Sequence, residues 1–109
     1  MSKEIARLFH TLTHGVYVIG VVDGAQVNAF TAACVMLASF DPPHLAVAVN
    51  TQHTSYRAMT AAGAFSVNVL KSDQSEFARR FAGPASSGKM SFAAWTVART
   101  GAPLLEDAL

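Results

Sequence analysis

The stretch VNAFTAACVMLASFDPPHLAVAVN, residues 27–50, decides how this chain is organised. Two apolar, strand-like runs stand on either side of Asp41-Pro42-Pro43, where neither proline can donate to a strand ladder. The residues at 31–34, TAAC, are small, so a flat ligand could lie against the main chain and bond its N–H and C=O groups. The alternative interpretation is an ordinary strand packed under a helix.

Along the whole chain, the spacing of apolar residues predicts helices and strands. Residues 2–13 carry apolar side chains at the three-and-four spacing of an amphipathic helix, which Ser2 can cap and Gly15 can end. Asp23-Gly24 is a hairpin signal. The other predicted elements are strands at 16–22, 26–33, 36–40, 45–49 and 64–70, a helix at 54–62 ended by Gly63, and a helix to Phe81 opened by a capping box of Asp73 and Glu76.

Composition predicts one compact domain over residues 1–109. The chain is 51% hydrophobic and 14% charged, which is too apolar for disorder. A net charge of +1 with scattered Lys and Arg residues gives no basis for a nucleic-acid partner. One cysteine, Cys34, excludes an internal disulfide, and no segment reads as a signal peptide or membrane span. We therefore expect a cytoplasmic protein.

Four segments in a fixed order resemble one known family. They are GVYVIG at 15–20, NAFTAACVMLASFDPP at 28–43, FSVNVL at 65–70 and RRFAG at 79–83. Together they resemble the flavin reductase-like proteins, over nearly the whole chain. The resemblance implies a mainly β fold with flanking helices, the FMN-binding split β-barrel. It also implies further barrel strands after GAPLLEDAL at 101–109, so the domain is expected to be C-terminally incomplete and to pair as a homodimer.

Three segments are candidates for cofactor binding. Beside the small residues, a polar turn precedes a predicted helix whose first-turn N–H groups could hold phosphate, although helix capping by Thr54 explains the same residues. The resemblance adds a segment that closes over the phosphate and ribityl chain, where a solvated Lys89 is the alternative. The candidates are Thr31, Ala32, Ala33, Cys34 and Val35 at the ring; Asn50, Thr51, His53, Thr54 and Ser55 at the phosphate; and Phe81, Ala82, Gly83 and Lys89 above it.

The sequence offers few groups for acid-base or metal chemistry. It has no Ser-His-Asp order, no P-loop and no Gly-x-Gly-x-x-Gly, so a nicotinamide would dock on the flavin-bearing surface. His10 and His14 stand four apart without a local third ligand, and no metal site is predicted. Relatives receive the nicotinamide with a Gly-Asp-His stretch that is not in this sequence. Catalytic residues stay unassigned.

The resemblance implies NAD(P)H-dependent reduction of FMN, with FAD possible as the flavin and NADH or NADPH as the reductant. Flavin itself accepts the hydride, so the protein chiefly binds and orients. The chain could serve as a reductase component that supplies reduced flavin to a monooxygenase. A noncatalytic flavin-binding or electron-carrier module is the alternative from another class. A split barrel like pyridoxamine-phosphate oxidase is a more remote one.

Overall fold

The computed structural model describes residues 2–83, 87–91 and 93–109. Its strands form three antiparallel sheets and confirm the predicted mainly β architecture. In the central sheet, β1 (Tyr17–Asp23) lies between β2 (Gln26–Ala32) and β5 (Ser66–Val69). The remaining elements are the hairpins of β3 (Val35–Ser39) with β4 (His44–Val47) and of β6 (Trp95–Val97) with β7 (Pro103–Leu105), and the helices α1 (Lys3–Phe9), α2 (Thr54–Ala62), α3 (Ser75–Phe81) and α4 (Ser87–Met90).

The β1–β2 hairpin forms as the sequence predicts. Asp23 pairs with Gln26, and Gly24 adopts the left-handed φ of 61° that a tight turn needs. Because β1 is central, β2 has a strand neighbour on one side only within the described residues. The other edge of β2 therefore presents unpaired backbone groups.

The core lies on both faces of this sheet. Ile19 and Phe30 pack with Ala58 of α2 on one face. Val18 packs with Phe81 of α3 on the other. This arrangement follows from the two-residue alternation of strand side chains, and each buried aliphatic or aromatic side chain contributes about 1.5–3 kcal/mol. Helices α2 and α3 are thus held on opposite faces of β1 and β2.

A buried amide ties the central sheet to β7. Asn68 Nδ2 donates to the Val18 carbonyl at 2.9 Å, and Asn68 Oδ1 accepts from the Leu105 N–H at 2.8 Å. Ser66, also buried, donates its hydroxyl to the Pro103 carbonyl. These bonds satisfy polar groups that would be costly to leave unpaired in the core. They fix the register between β5 and β7, two strands far apart in sequence.

Helix α1 is shorter than predicted. Ser2 caps it by accepting from the Ile5 N–H at 3.2 Å, as expected, but the helix ends at Phe9 rather than near Gly15. None of its residues is buried, so no packing stabilises a further turn. Beyond its end, the Thr11 hydroxyl donates a hydrogen bond to the Leu8 carbonyl. His10 becomes the C-cap and His14 lies beyond the helix, so the two do not share a helical face.

The predicted capping box of Asp73 and Glu76 is wrong. Gln74 is the N-cap of α3, and Glu76 instead pairs with Arg80 at 3.0 Å one turn along the helix. Gln74 is buried; its Oε1 accepts from the Lys71 N–H at 2.7 Å and its Nε2 donates to the Asp107 carbonyl at 2.7 Å. These bonds to residues before and after α3 in the sequence hold Gln74 at the N-cap, one residue after the predicted cap, Asp73.

The β3–β4 hairpin has no fully buried residue. Both strands start one residue before their predicted positions, and a bulge falls between Leu37 and Ser39. Several of its apolar side chains are exposed: Met36 of β3 is 63% exposed and Phe40, in the connecting turn, is 85% exposed. Exposed apolar side chains grouped in this way often mark an interaction surface. No helix among the described residues combines the length and the apolar character that crossing a membrane would require.

Candidate functional site

The small-residue segment joins β2 to β3. Thr31 and Ala32 end β2, Val35 begins β3, and Ala33 and Cys34 form the link. The Cys34 side chain is exposed, and its carbonyl accepts from the Ala48 N–H at 3.0 Å. The small residues therefore run from the end of β2 into the link between the two sheets.

The Thr31 hydroxyl does not act as a free donor. It gives its proton to the Ala78 carbonyl of α3 at 2.7 Å, so only its lone pairs remain for a ligand. A sequence pattern cannot show this, because Ala78 is 47 residues away. Ala32 and Val35 pack partly into the α2 side of the core. The groups of this segment that remain available to a ligand are therefore its backbone and the side chains of Ala33 and Cys34.

The polar turn at residues 50–55 is closed by hydrogen bonds within itself. Asn50 Oδ1 accepts from the Gln52 N–H at 2.9 Å, and the Asn50 carbonyl accepts from the His53 N–H at 2.9 Å. Thr51 and Thr54 are exposed, whereas Ser55 is buried. The turn thus presents two threonine side chains to solvent at the start of α2.

Helix α2 is capped by His53, not by Thr54. His53 Nδ1 accepts from the Ser55 N–H at 3.1 Å. The imidazole also packs on Phe30 of β2, with ring centroids 4.6 Å apart. The alternative explanation of Thr54 as a capping residue is therefore wrong, because the histidine already occupies that position. Gly63 ends the helix with a left-handed φ of 68°, as predicted.

The third segment follows α3. Phe81 is fully buried and meets Trp95 edge to face at 5.4 Å, so its side chain belongs to the core and only its backbone can face a ligand. Ala82 is the C-cap, and the Gly83 carbonyl accepts from Lys89 Nζ at 2.9 Å. Partial burial lowers the pKa of the Lys89 ammonium below its ordinary value. The interpretation of 83–88 as a loose loop falls partly outside the described residues, and 87–90 form α4.

The three segments surround one strand. His53 reaches β2 through Phe30 on the α2 face, and Thr31 reaches α3 on the opposite face. Met90 of α4 packs against the cluster that contains Ala29 of β2. Residues far apart in sequence therefore contact the two faces of β2. Only the tertiary structure brings them together.

A cavity of about 610 Å³ lies beside β2, and among the predicted site residues Thr54 and Ser55 line it. It lies between the β1–β2 hairpin, the start of α2 and the end of α4. The Asn28 Oδ1 atom beside it is buried with no hydrogen-bond partner among the described residues. The sequence analysis did not single out Asn28, because its position beside the cavity follows only from the place of β2 in the sheet. The lining residues are Val21, Asp23, Ala25, Gln26, Val27, Asn28, Thr54, Ser55, Ala58 and Met90.

Comparison with known proteins gives one consistent result. The family model described as "Flavin reductase like domain" matches residues 9–109. The FMN reductase (NADH) RutF of Agrobacterium fabrum is 36% identical over 94 residues, which cover 84% of this chain and 53% of that protein. This chain therefore spans about half the length of that curated relative.

Solved structures agree with the sequence comparison. The NADH:FAD oxidoreductase SgcE6 of Streptomyces globisporus has a TM-score of 0.86 at 29% identity, covering 95% of this chain and 63% of that one. BorF, the flavin reductase component of a bacterial two-component tryptophan halogenase, has a TM-score of 0.84 at 32% identity, covering 100% of this chain and 70% of that one. The predicted split-barrel fold class is confirmed. The chain belongs to the flavin reductase-like family.

Proposed function

We propose that this chain binds FMN along the free edge of β2 and takes part in NAD(P)H-dependent reduction of that flavin. The observation that carries the proposal is the convergence of the three candidate segments on β2. Phe30 holds the polar turn on one face, and Thr31 holds α3 on the other. The names of RutF and SgcE6 as NADH-dependent reductases of FMN and FAD support the reaction class.

The ring would lie against the small-residue segment. Neither Ala33 nor Cys34 carries a bulky side chain, and an uncrowded backbone can hydrogen bond the edge of a heterocycle. Ala33 and Cys34 follow directly on the edge strand, so a ring placed there continues the line of unpaired β2 backbone groups. A larger side chain at 33 would occupy the space that the ring needs.

The phosphate would lie at the start of α2, with Asn50, Thr51, His53, Thr54 and Ser55 around it. The first N–H groups of a helix and its partial positive charge favour an anion there. Thr54 is exposed and its hydroxyl is not used for capping, so it can donate to a phosphate oxygen. The cavity beside Thr54 and Ser55 has room for that group.

Lys89 is the cation proposed to offset the phosphate charge from the other side of the β2 edge. Its ammonium is bonded to a carbonyl rather than to a carboxylate, and it is partly desolvated. A nearby dianion would counteract the lowering of the Lys89 pKa, because it favours the charged form of the amine. Met90, the next residue, lines the cavity. The backbone of Phe81, Ala82 and Gly83 would close the same side.

The residues present fit a cofactor that performs the redox chemistry itself. A bound flavin would accept a hydride from the nicotinamide and pass the electrons on. The chain's own residues would bind the phosphate, hold the ring against the 31–35 segment and keep the nicotinamide on the exposed side. No acid or base from the protein needs to act at the reacting atoms, and we assign no catalytic residue.

We also propose that the chain works as a homodimer in the cytoplasm and that it delivers reduced flavin to a monooxygenase-type partner. The outward-facing apolar side chains of β3–β4, including Phe40 and Met36, require a cover, and a second copy presents a matching apolar surface. A two-component partner is supported by the description of BorF as one component of such a system.

Anaerobic mixing of the flavin-loaded protein with NADH tests the reductase activity. The flavin absorbance near its visible maximum should bleach as hydride is transferred, and NADPH in a parallel experiment identifies the preferred nicotinamide. A protein that stays yellow under both reductants would contradict the reductase and support the noncatalytic carrier. A protein that binds neither FMN nor FAD would contradict both.

A further inference from the structure

The first helix carries an apolar stripe that the described part of the chain leaves uncovered. Ile5, Leu8 and Phe9 of α1, with Leu12 just beyond it, recur at the three-and-four spacing of one helical face, and each is between 46% and 65% exposed. The radius of gyration is 14.5 Å, against about 13 Å for a compact domain of about 100 residues. Both observations are expected when an element stands away from the body of the domain. We call these four side chains the α1 stripe.

The β3–β4 hairpin has a second uncovered apolar surface. Strand side chains alternate between two faces, so Met36 and Ala38 share a face, and Ala46 joins them because it pairs with Met36. All three are exposed, whereas Val35, on the other face, packs against the core. Phe40 extends the apolar surface into the connecting turn. We call Met36, Ala38, Ala46 and Phe40 the outer hairpin face; its two alanines leave room for a helix beside Met36.

We propose that the α1 stripe of each copy covers the outer hairpin face of a second copy. The contact is reciprocal, so two copies related by a twofold axis form two equal contacts and the assembly closes as a dimer. Residues 10–16, which join α1 to β1, are all exposed, so α1 can lie on a neighbouring copy without a change in the central sheet. The inference rests on the homodimer proposed above and names the two surfaces that form it.

The area of the two surfaces favours a second copy as the partner. A large apolar side chain removes about 100 Å² from water when it is covered, so the α1 stripe and the outer hairpin face each amount to roughly 400 Å². A single contact between them would bury roughly 800 Å² in total, which is the upper end for crystal-packing contacts. Two reciprocal contacts bury roughly 1,600 Å², which is the standard size of a specific, stable interface. A second copy supplies both surfaces at once, and the two contacts together reach that size.

The charges favour α1 against the hairpin over either surface against itself. Helix α1 carries Lys3 and Arg7 against Glu4, so its net charge is positive. In residues 35–47, Asp41 is the one formally charged side chain with histidine neutral, and it follows Phe40 directly. All four charged side chains are exposed. Two helices or two hairpins placed together would bring like net charges close, whereas the reciprocal contact brings opposite net charges together.

A pair of opposite charges, one on each surface, tests the contact. Leu8→Glu places a carboxylate on the α1 stripe and Met36→Lys places an ammonium on the outer hairpin face; both positions are exposed, so neither change enters the core. In a homodimer of either variant, both contacts hold an unpaired charge, and we expect the dissociation constant to rise at least about a hundredfold. In an equal mixture of the two variants, one contact of the heterodimer is native and the other pairs the new carboxylate with the new ammonium. The heterodimer should therefore bind at least about tenfold more tightly than either variant alone.

Sedimentation velocity measures the dissociation constants, and native mass spectrometry identifies the heterodimer by its mass. His10→Glu is the matched control, because it adds the same charge at an exposed position on the opposite side of α1 from the stripe, and it should dimerise like the wild type.

The outcomes separate the contact from the homodimer itself. Wild-type affinity in Leu8→Glu, or a mixture that binds no more tightly than the separate variants, would overturn the contact while leaving the proposed homodimer intact. A monomeric wild type would overturn both. Leu8→Gln and Met36→Gln repeat the single-variant measurements if a charged variant does not fold, and wild-type affinity in both would also overturn the contact. Bleaching of the flavin by NADH is measured separately and reports on the reductase activity alone.

Discussion

Thr54→Ala should separate phosphate recognition from helix stability. Thr54 is the first residue of α2, it is exposed, and His53 rather than Thr54 caps the helix. Removing its hydroxyl therefore costs no cap. If the hydroxyl donates to the flavin phosphate, its loss removes one hydrogen bond to a charged group, worth about 1.5–3 kcal/mol. That energy corresponds to about a ten- to hundredfold weaker affinity for FMN.

Fluorescence titration of FMN and riboflavin against the same protein preparation measures this effect. Riboflavin has no phosphate, so its affinity should change much less than that of FMN. Thr60→Ala is the matched control, because Thr60 lies in the same helix, is exposed and donates its hydroxyl to the Arg57 carbonyl at 3.0 Å. Equal losses for both flavins, or a similar loss in Thr60→Ala, would refute the placement of the phosphate at the start of α2.

Three further predictions concern the ring, the core and the dimer. Ala33→Leu should greatly weaken flavin binding without changing the far-ultraviolet dichroism spectrum. Ala62→Leu, at an exposed position of α2, is the control and should bind flavin normally. An unchanged flavin affinity in Ala33→Leu would show that the ring does not lie against this segment. Asn68→Leu should lower the free energy of urea unfolding by about 1–3 kcal/mol, since the Leu105 N–H loses its buried acceptor, and an unchanged midpoint would contradict that assignment. Sedimentation velocity should show a dimer at micromolar concentration that Phe40→Glu dissociates, and a flavin-bound monomer in the wild type would count against the homodimer.

Local patterns predicted the elements whose signals lie within a few residues. The Asp23-Gly24 turn and the Gly63 helix stop formed where expected, because a tight turn and a left-handed cap depend on backbone freedom at a single residue. The family resemblance, which rests on four ordered segments, predicted the fold class that the comparisons confirm. The strand pair β6–β7 was not predicted, since its three-residue strands carry too little alternation to detect.

The errors arose where tertiary contacts, or their absence, outweighed a local signal. Asp73 and Glu76 have the spacing of a capping box, but Gln74 is held by the Asp107 carbonyl and becomes the cap. The pattern for α1 continued past Phe9, but its apolar face found no surface to pack against. Propensity is a weak preference that tertiary contacts outweigh.

For the candidate site, the sequence by itself determined which residue types are present: small residues at 31–34, hydroxyls and a histidine at 50–55, and Lys89 near Gly83. Only the tertiary structure decided what each can do. It directed the Thr31 hydroxyl to Ala78, made His53 rather than Thr54 the cap, and buried Phe81 in the core. The physical reason is that each group bonds the partner that the packed sheet and helices bring within reach. Thr31 meets α3 on one face of β2, and His53 meets Phe30 on the other.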